Sequence, residues 1–339
     1  MNVIFKQVRG YSGVDVWTDS LASALQKQGV ESKVSYFHPY VGYFPYLAQY
    51  IDNERDSNSI VHGNTWNAFA FKDSNPMVAT EHLVVHDPNL DPYKTTAQKV
   101  YHRVIYRYES KSLKVADCVV CVSQYTRDRL EHAFEYPDAR VIYNGVDVET
   151  FQPQSIDRED FCDRLGIPEN KIILLFAGNP TPRKGADLLP EIMSQLDDSF
   201  ILLTTSGLRG KGINNCNIRS LGRLSMQDLI NLYTVSDIFV FPTRLEGMSL
   251  TVAEAMACGK PVVTTNTSSL PEMIIDGEGG FLCEKDNVTD FSNKIRYLAE
   301  DDAVREQMGS FNRVRAIEHF SIDRMAIEYI DIYKSLLKN

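Results

Sequence analysis

The chain has no apolar run approaching the roughly 18–20 residues that a membrane-spanning helix requires. Its opening stretch, MNVIFKQVRGYSG, has no long apolar core followed by a small-residue cleavage site, so no signal peptide is expected. Positive charge is not in excess: 35 Lys and Arg stand against 45 Asp and Glu, for a formal net charge of −10. A polyanion is a poor partner for such a chain, which argues against nucleic-acid binding. Cysteine is sparse, six residues scattered at 118, 121, 162, 216, 258 and 283. Cys118 and Cys121 sit inside the strand-like DCVVCVS, where an odd separation puts them on opposite faces. Buried small hydrophobes are the expected reading, and the cytoplasm the expected compartment.

What is present is enough core for two domains. There are 339 residues, 43% of them hydrophobic and 24% charged, against about 150 residues for an ordinary domain. Short apolar runs alternate with longer amphipathic ones. Strands are expected at 3–5, 33–37, 59–62, 77–81, 118–123 and 140–143, then at 172–177, 200–204, 218–221, 237–241, 262–265 and 281–283. Helical patterns fall at 14–27, 95–115, 127–133, 187–195, 225–235, 250–258, 288–299 and 322–337. Such alternation builds parallel sheets with helices on both faces, and two cycles suggest two doubly wound α/β domains. The turn at Asn144-Gly145, with Pro153 shortly after, marks the boundary.

Ligands of doubly wound sheets collect beyond the carboxyl ends of the strands. Two strand-end loops attract attention. In DIFVFPTRLEGMSLTVAEAMACGKPVVTT, a strand ends near Phe241 and a helix begins near Ser249. Gly247, Met248, Ser249 and Leu250 bring backbone N–H groups to a helix N-terminus, a ready seat for phosphate. Glu246 and Glu254 bracket that turn with seven residues between them, spaced to accept hydrogen bonds from ligand hydroxyls. A solvated loop acid and a helix-surface acid are the alternatives. In LLFAGNPTPRKGADLL, Arg183 and Lys184 precede a helix, and two cations there suit a diphosphate. Exposed loop charge is the alternative.

Together these residues resemble the retaining nucleotide-sugar glycosyltransferases with the GT-B fold, family four in the usual sequence classification. VIYNGVDVETFQP resembles the family's interdomain segment, LLFAGNPTPRKGADLL its donor-phosphate loop, 241–263 its Glu-x7-Glu motif, and SSLPEMIIDGEGGFL the continuation. The resemblance implies two Rossmann-like domains facing across a cleft. An N-terminal acceptor-side domain would span 1–145, completed by a C-terminal helix at 319–339, and a donor-binding domain would span 151–318. It implies transfer of a sugar, with retained anomeric configuration, from a nucleotide diphosphate sugar to a hydroxyl on a glycan, lipid-linked or small-molecule acceptor. Lys184 would neutralise the diphosphate, Glu254 would bind the ribose, and Glu246 would contact the transferred sugar. Gly247, Met248, Ser249 and Leu250 would supply backbone donors. Members commonly carry Arg directly after the glycine of the phosphate loop, but Gly178 is followed by Asn179. Either Arg183 takes over that charge or the phosphate is held more weakly.

In the first half the family often has two adjacent glycines after the first strand; here Ser12-Gly13 leaves only Gly13. VATEHLVVHDP places His82 just past a strand end, where a family histidine lies near the reacting sugar; His86 competes for that role. Asp-x-Asp occurs nowhere, so neither a metal nor another cofactor is expected. A phosphorylase or epimerase, and a non-catalytic nucleotide-sugar sensor or partner subunit, are the other readings.

Three features stand outside the resemblance. SGLRGKG at 206–212 lacks P-loop spacing and reads as a surface loop. Residues 36–50 hold seven aromatics and are expected in core and domain packing, with an acceptor or membrane contact as the alternative. Lys99, Arg103, Arg107, Lys111 and Lys114 fall within roughly 120° of one helix face. That stripe is a solvated face or a seat for an anionic membrane, which would make the protein cytoplasmic and peripheral on the membrane.

Overall fold

The computed structural model describes residues 1–52, 59–168, 170–208 and 217–338. Cys216 and most of the Gly-rich stretch at 206–212 lie outside the described residues. The chain divides into two compact units, Met1–Gly145 with Ser321–Asn339, and Val146–Phe320.

The first unit runs β1 (Asn2–Val8), α1 (Gly13–Lys27), β2 (Glu31–Phe37), α2 (Tyr40–Tyr43), α3 (Ala48–Ile51), β3 (Ser59–Asn64), β4 (Met77–Glu81), α4 (Thr96–Val115), β5 (Cys118–Cys121), α5 (Gln124–Phe134) and β6 (Arg140–Val141). Its six strands pair in the order β2-β1-β3-β4-β5-β6, all parallel. Parallel strands are covered on both faces, which is why β3 and β4 are buried almost throughout.

The second unit runs α6 (Arg158–Leu165), β7 (Ile172–Phe176), α7 (Leu189–Ser194), β8 (Phe200–Thr204), β9 (Ile218–Ser220), α8 (Met226–Val235), β10 (Ile238–Phe241), α9 (Leu250–Ala257), β11 (Val262–Thr265), α10 (Leu270–Met273), β12 (Gly280–Cys283), α11 (Val288–Ala299) and α12 (Asp302–His319). Its strands pair in the order β12-β11-β10-β7-β8-β9, again all parallel. A last helix, α13 (Ile322–Leu336), packs in the first unit. Its Tyr333 hydroxyl meets His62 Nδ1 at 2.7 Å. The Tyr329 hydroxyl lies 3.1 Å from Thr80 Oγ1.

Several boundaries move for identifiable reasons. The strand expected at 118–123 stops at Cys121, because Ser123 turns out to cap α5 and accepts from the Thr126 N–H at 3.0 Å. Helix α5 consequently starts at Gln124 rather than at 127. Helix α7 starts at Leu189 rather than 187, after a tight turn whose Gly185 has φ +66°. Five of the described helices were not expected: the four-residue α2, α3 and α10, and the longer α6 and α12. Helix α6 is short and buries little beyond Phe161 and Cys162. Helix α12 carries Gly309 in its middle, which weakens a helical pattern by about 1 kcal/mol. The glycine is there for packing: a Cβ on it would stand 2.0 Å from the Gly259 carbonyl oxygen. The aromatic stretch at 36–50 is a correction of substance. Phe37 is buried, but Tyr40, Tyr43, Phe44, Tyr46 and Tyr50 are exposed, Tyr50 by 83%. Residues 40–51 form only short turns of helix along the surface of α4, too little structure to bury every ring.

Candidate active site

In the second unit the loops after β7 and β10 interlock. Gly185 ends the first loop in the left-handed region, and a Cβ there would stand 1.8 Å from the Pro242 carbonyl oxygen, so only glycine fits. The Arg183 carbonyl accepts from the Arg244 N–H at 2.8 Å and from the Thr243 hydroxyl at 3.2 Å. Arg244, 7% exposed, grips both carboxylate oxygens of Asp187 at 2.6 and 2.9 Å and reaches Asp286 at 2.5 Å. Such a forked, charge-assisted clamp fixes the two loops in one geometry.

That geometry delivers two cations to different places. Lys184 turns back over the first loop. Its Nζ lies 3.1 Å from where a Cβ on Gly178 would stand, and 5.5 Å from the Phe241 ring centroid. Arg183 points the other way and pairs with Glu246 Oε1 at 3.0 Å. Glu246 is held from behind as well. Its N–H donates to Ser268 Oγ at 3.0 Å, and its carbonyl accepts from Ser269 Oγ at 3.3 Å. Glu246 is 8% exposed, so the solvated loop acid is excluded.

Every residue of 241–249 is buried, Gly247, Met248 and Ser249 included, and Leu250 is half-buried. Ser249 caps α9, accepting from the Val252 N–H at 3.4 Å, which orients the helix N-terminus at the loop's end. Glu254 lies on α9 and accepts from the Tyr233 hydroxyl at 2.8 Å. Burial raises its carboxyl to about 7, against the hydrogen bond from Tyr233 and the charge of Lys184. A carboxyl so placed is no helix-surface acid. Tyr233, fully buried, was not singled out in the sequence; nothing in the spacing from 233 to 254 links α8 to α9.

In the first unit, β1, β3 and β4 end around a cavity of about 510 Å³ lined by Arg9, Ser12, Tyr43, Trp66, Glu81 and His82, among others. Gly13 opens α1 behind the Ser12 cap, and a Cβ on it would meet nothing within 4 Å. His82 packs edge-on against Trp17 at 4.6 Å between centroids. Burial lowers its ring to about 3, so it is neutral at physiological pH. His86 goes elsewhere: its Nε2 meets Glu109 Oε2 at 2.6 Å. Burial lowers the imidazole to about 4 and raises the carboxyl to about 8, so this is a neutral hydrogen-bonded pair. Of the two histidines, His82 alone lines the cavity.

Sequence reasoning passed over Glu81. It is 1% exposed, accepts from Thr65 Oγ1 at 2.6 Å and the Leu83 N–H at 3.1 Å, and burial raises it well above the usual carboxyl range. Its place before His82 at a strand end was the available signal. Among the described residues no group of three His, Cys, Asp or Glu side chains could hold a metal ion. No described helix is long and apolar enough to cross a membrane.

Two parallel six-stranded sheets with helices, with a buried turn leading to a helix N-terminus in one unit, define the GT-B class of α/β protein. Residues 157–315 match the model of glycosyl transferases group 1, and residues 35–150 match that of glycosyltransferase family 4. The chain belongs to this glycosyltransferase family. It is similar to an uncharacterized glycosyltransferase of Methanocaldococcus jannaschii, 30% identical over 69% of this chain and 63% of that protein. It is also similar to a GDP-mannose-dependent monoacylated alpha-(1-6)-phosphatidylinositol monomannoside mannosyltransferase of Corynebacterium glutamicum, 29% identical over 65% of this chain and 62% of that protein. The match thus spans under two thirds of either relative's length. The fold is shared with Anabaena HepE, solved with UDP and glucose, at a TM-score of 0.80 and 18% identity over 99% of this chain and all of that one.

Proposed function

We propose that the chain transfers a sugar from a nucleotide diphosphate sugar to an acceptor hydroxyl, with retention of configuration and without a metal. The observation that carries the reading is the divergence of the two loop cations: Lys184 stands over the Gly178 turn, where its charge acts on the Glu254 carboxyl, while Arg183 is committed to Glu246. Lys184 and the N-terminus of α9 then stabilise the departing diphosphate, and preorganised charge of this kind is usually the largest catalytic contribution. Backbone groups of Gly247, Met248, Ser249 and Leu250 cradle it. Glu254 accepts from the ribose hydroxyls. Glu246, aimed by Arg183, accepts from hydroxyls of the transferred sugar, and neutral His82 hydrogen-bonds the reacting sugar.

The anomeric carbon loses its bond to the diphosphate oxygen and gains one to the acceptor oxygen on the same face. The acceptor's proton passes to the departing phosphate. In this reading Arg183 positions Glu246 rather than replacing the arginine absent at Asn179. The relatives named above span GDP-mannose and UDP, so guanosine and uridine donors head the trial set. Turnover of each donor with an acceptor panel, in EDTA, with the product's anomeric configuration read by NMR, tests the proposal. Retained product at undiminished rate in EDTA is expected. Inverted product, or activity that only magnesium or manganese restores, refutes it.

A further inference from the structure

The basic stripe and the aromatic stretch, separate in the sequence, form one surface. Lys99, Arg103, Arg107, Lys111 and Lys114 are all exposed along α4. The single acid among residues 99–114, Glu109, points inward and is fully buried. Residues 40–51 lie alongside. The Tyr101 hydroxyl donates to the Gly42 carbonyl at 3.1 Å, and the Tyr108 hydroxyl to the Tyr43 carbonyl at 3.4 Å. Lys111 bonds the Tyr46 hydroxyl, with its Nζ 5.0 Å from that ring's centroid. Of the 19 exposed large apolar side chains among the described residues, ten fall at 40–51 and 100–106. A groove of about 470 Å³ runs between them, lined by Tyr46, Tyr106, Tyr108, Arg107, Lys111 and Lys114.

We propose that this surface seats the protein on an anionic lipid bilayer, with lipid phosphates in the groove. Cations alone would suit any polyanion. The choice falls on lipid because the cations are interleaved with Phe44, Leu47 and Val104, which a soluble polyanion would leave in water. Tyrosine, apolar in its body and polar at its tip, suits a boundary between lipid and water. In a chain of net charge −10, the stripe offers an anionic surface five exposed cations and no exposed acid among residues 99–114. Tyr43 and Tyr101 belong both to this surface and to the lining of the His82 cavity. Resting on the transfer reading above, the acceptor is then a hydroxyl carried on a lipid, which reaches the cavity without leaving the membrane.

Co-sedimentation of the full chain with phosphatidylglycerol–phosphatidylcholine vesicles, at low and at high salt, tests the seat with neither donor nor acceptor present. Binding at low salt, reduced by salt and absent with pure phosphatidylcholine, is expected. Arg107→Glu with Lys111→Glu and Lys114→Glu lowers partition at least roughly 100-fold. Phe44→Ser with Leu47→Ser weakens it while leaving the salt dependence. Unchanged melting temperature and unchanged nucleoside diphosphate binding, read by calorimetry on the same samples, show that the variants fold and keep the outcome separate from that of the transfer reading. The proposal is overturned if the unaltered protein ignores anionic vesicles at low salt, or if the charge-reversed variant binds them equally. Release by inorganic phosphate at the concentration of the vesicle phosphate also overturns it, in favour of a small-anion site.

Discussion

The strand-end loops of the two units handle charge in opposite ways. In the second, ionised groups are kept and paired: Arg183 with Glu246, and Arg244 with Asp187 and Asp286, leaving Lys184 over the loop. In the first, burial neutralises several titratable groups, although Arg9 remains in the cavity lining. Glu81 and Glu109 are driven toward their neutral forms, and His82 and His86 lose their protons. A diphosphate needs compensating charge already in place, because reorganising it at the moment of reaction would cost rate. The cavity of the first unit holds the neutralised Glu81 carboxyl, the neutral His82 imidazole and the Trp66 indole, with Arg9 as a cation in its lining. Under the transfer reading, charge recognition falls to the second unit and hydrogen-bonding recognition to the first.

Lys184→Ala should break the contrast most sharply. Loss of a charge-assisted phosphate contact costs about 1.5–3 kcal/mol, or roughly 10–150-fold in nucleoside diphosphate affinity. Titration calorimetry reads it, and an unchanged affinity would remove this loop from the donor site. Glu254→Gln should weaken the free nucleotide by roughly tenfold, while Glu246→Gln spares it and lowers transfer. The reverse pattern would exchange the two carboxylates' roles.

Arg183→Ala should resemble Glu246→Gln rather than Lys184→Ala: transfer falls by roughly tenfold and nucleotide affinity holds. Comparable losses of affinity at 183 and 184 would mean that Arg183 leaves Glu246 for the phosphate when donor binds.

The smallest effects are in pH. With Glu254 titrating near 7, nucleotide affinity should rise up to about tenfold between pH 6 and 8, since ribose hydroxyls favour the ionised carboxylate. Without nucleotide the sign reverses. The folded carboxyl keeps its proton up to about 7, whereas the unfolded chain releases it near 4.5. The unfolded state therefore binds fewer protons in that window, and stability falls as pH rises through it. Glu254→Gln should remove that fall, seen as a smaller drop in melting temperature between pH 5 and pH 8. His82, neutral throughout, should add no inflection to kcat in the same range, and an inflection lost in His82→Asn would contradict its burial.

All twelve described strands were legible as short apolar runs, most with β-branched cores, and so were the two strand-end loops, because glycine, proline and charge punctuate them. The pairings within those loops were not. Arg183 pairs with Glu246 while Lys184 turns back over Gly178, within two loops packed together where left-handed Gly185 meets Pro242. Burial at long range was equally hidden. Glu109 reads as one acid on a basic helix until His86 comes to lie against it. Helix α12 hid behind Gly309, whose value lies in the approach of another segment. The rings at 40–50 misled in the other direction, since aromatic content does not say which side of a short turn meets solvent.

The last helix has a consequence for the order of synthesis. Tyr333 sits 271 positions after His62, its partner in the first unit's interior, and Tyr329 sits 249 after Thr80. Residues 146–320, by contrast, form a unit complete in itself. During translation the earlier-made sheet must therefore wait, its imidazole and tyrosine-filled seam open, while the later-made unit emerges and closes. The chain is read from its N-terminus, but its N-terminal unit is the last to be finished.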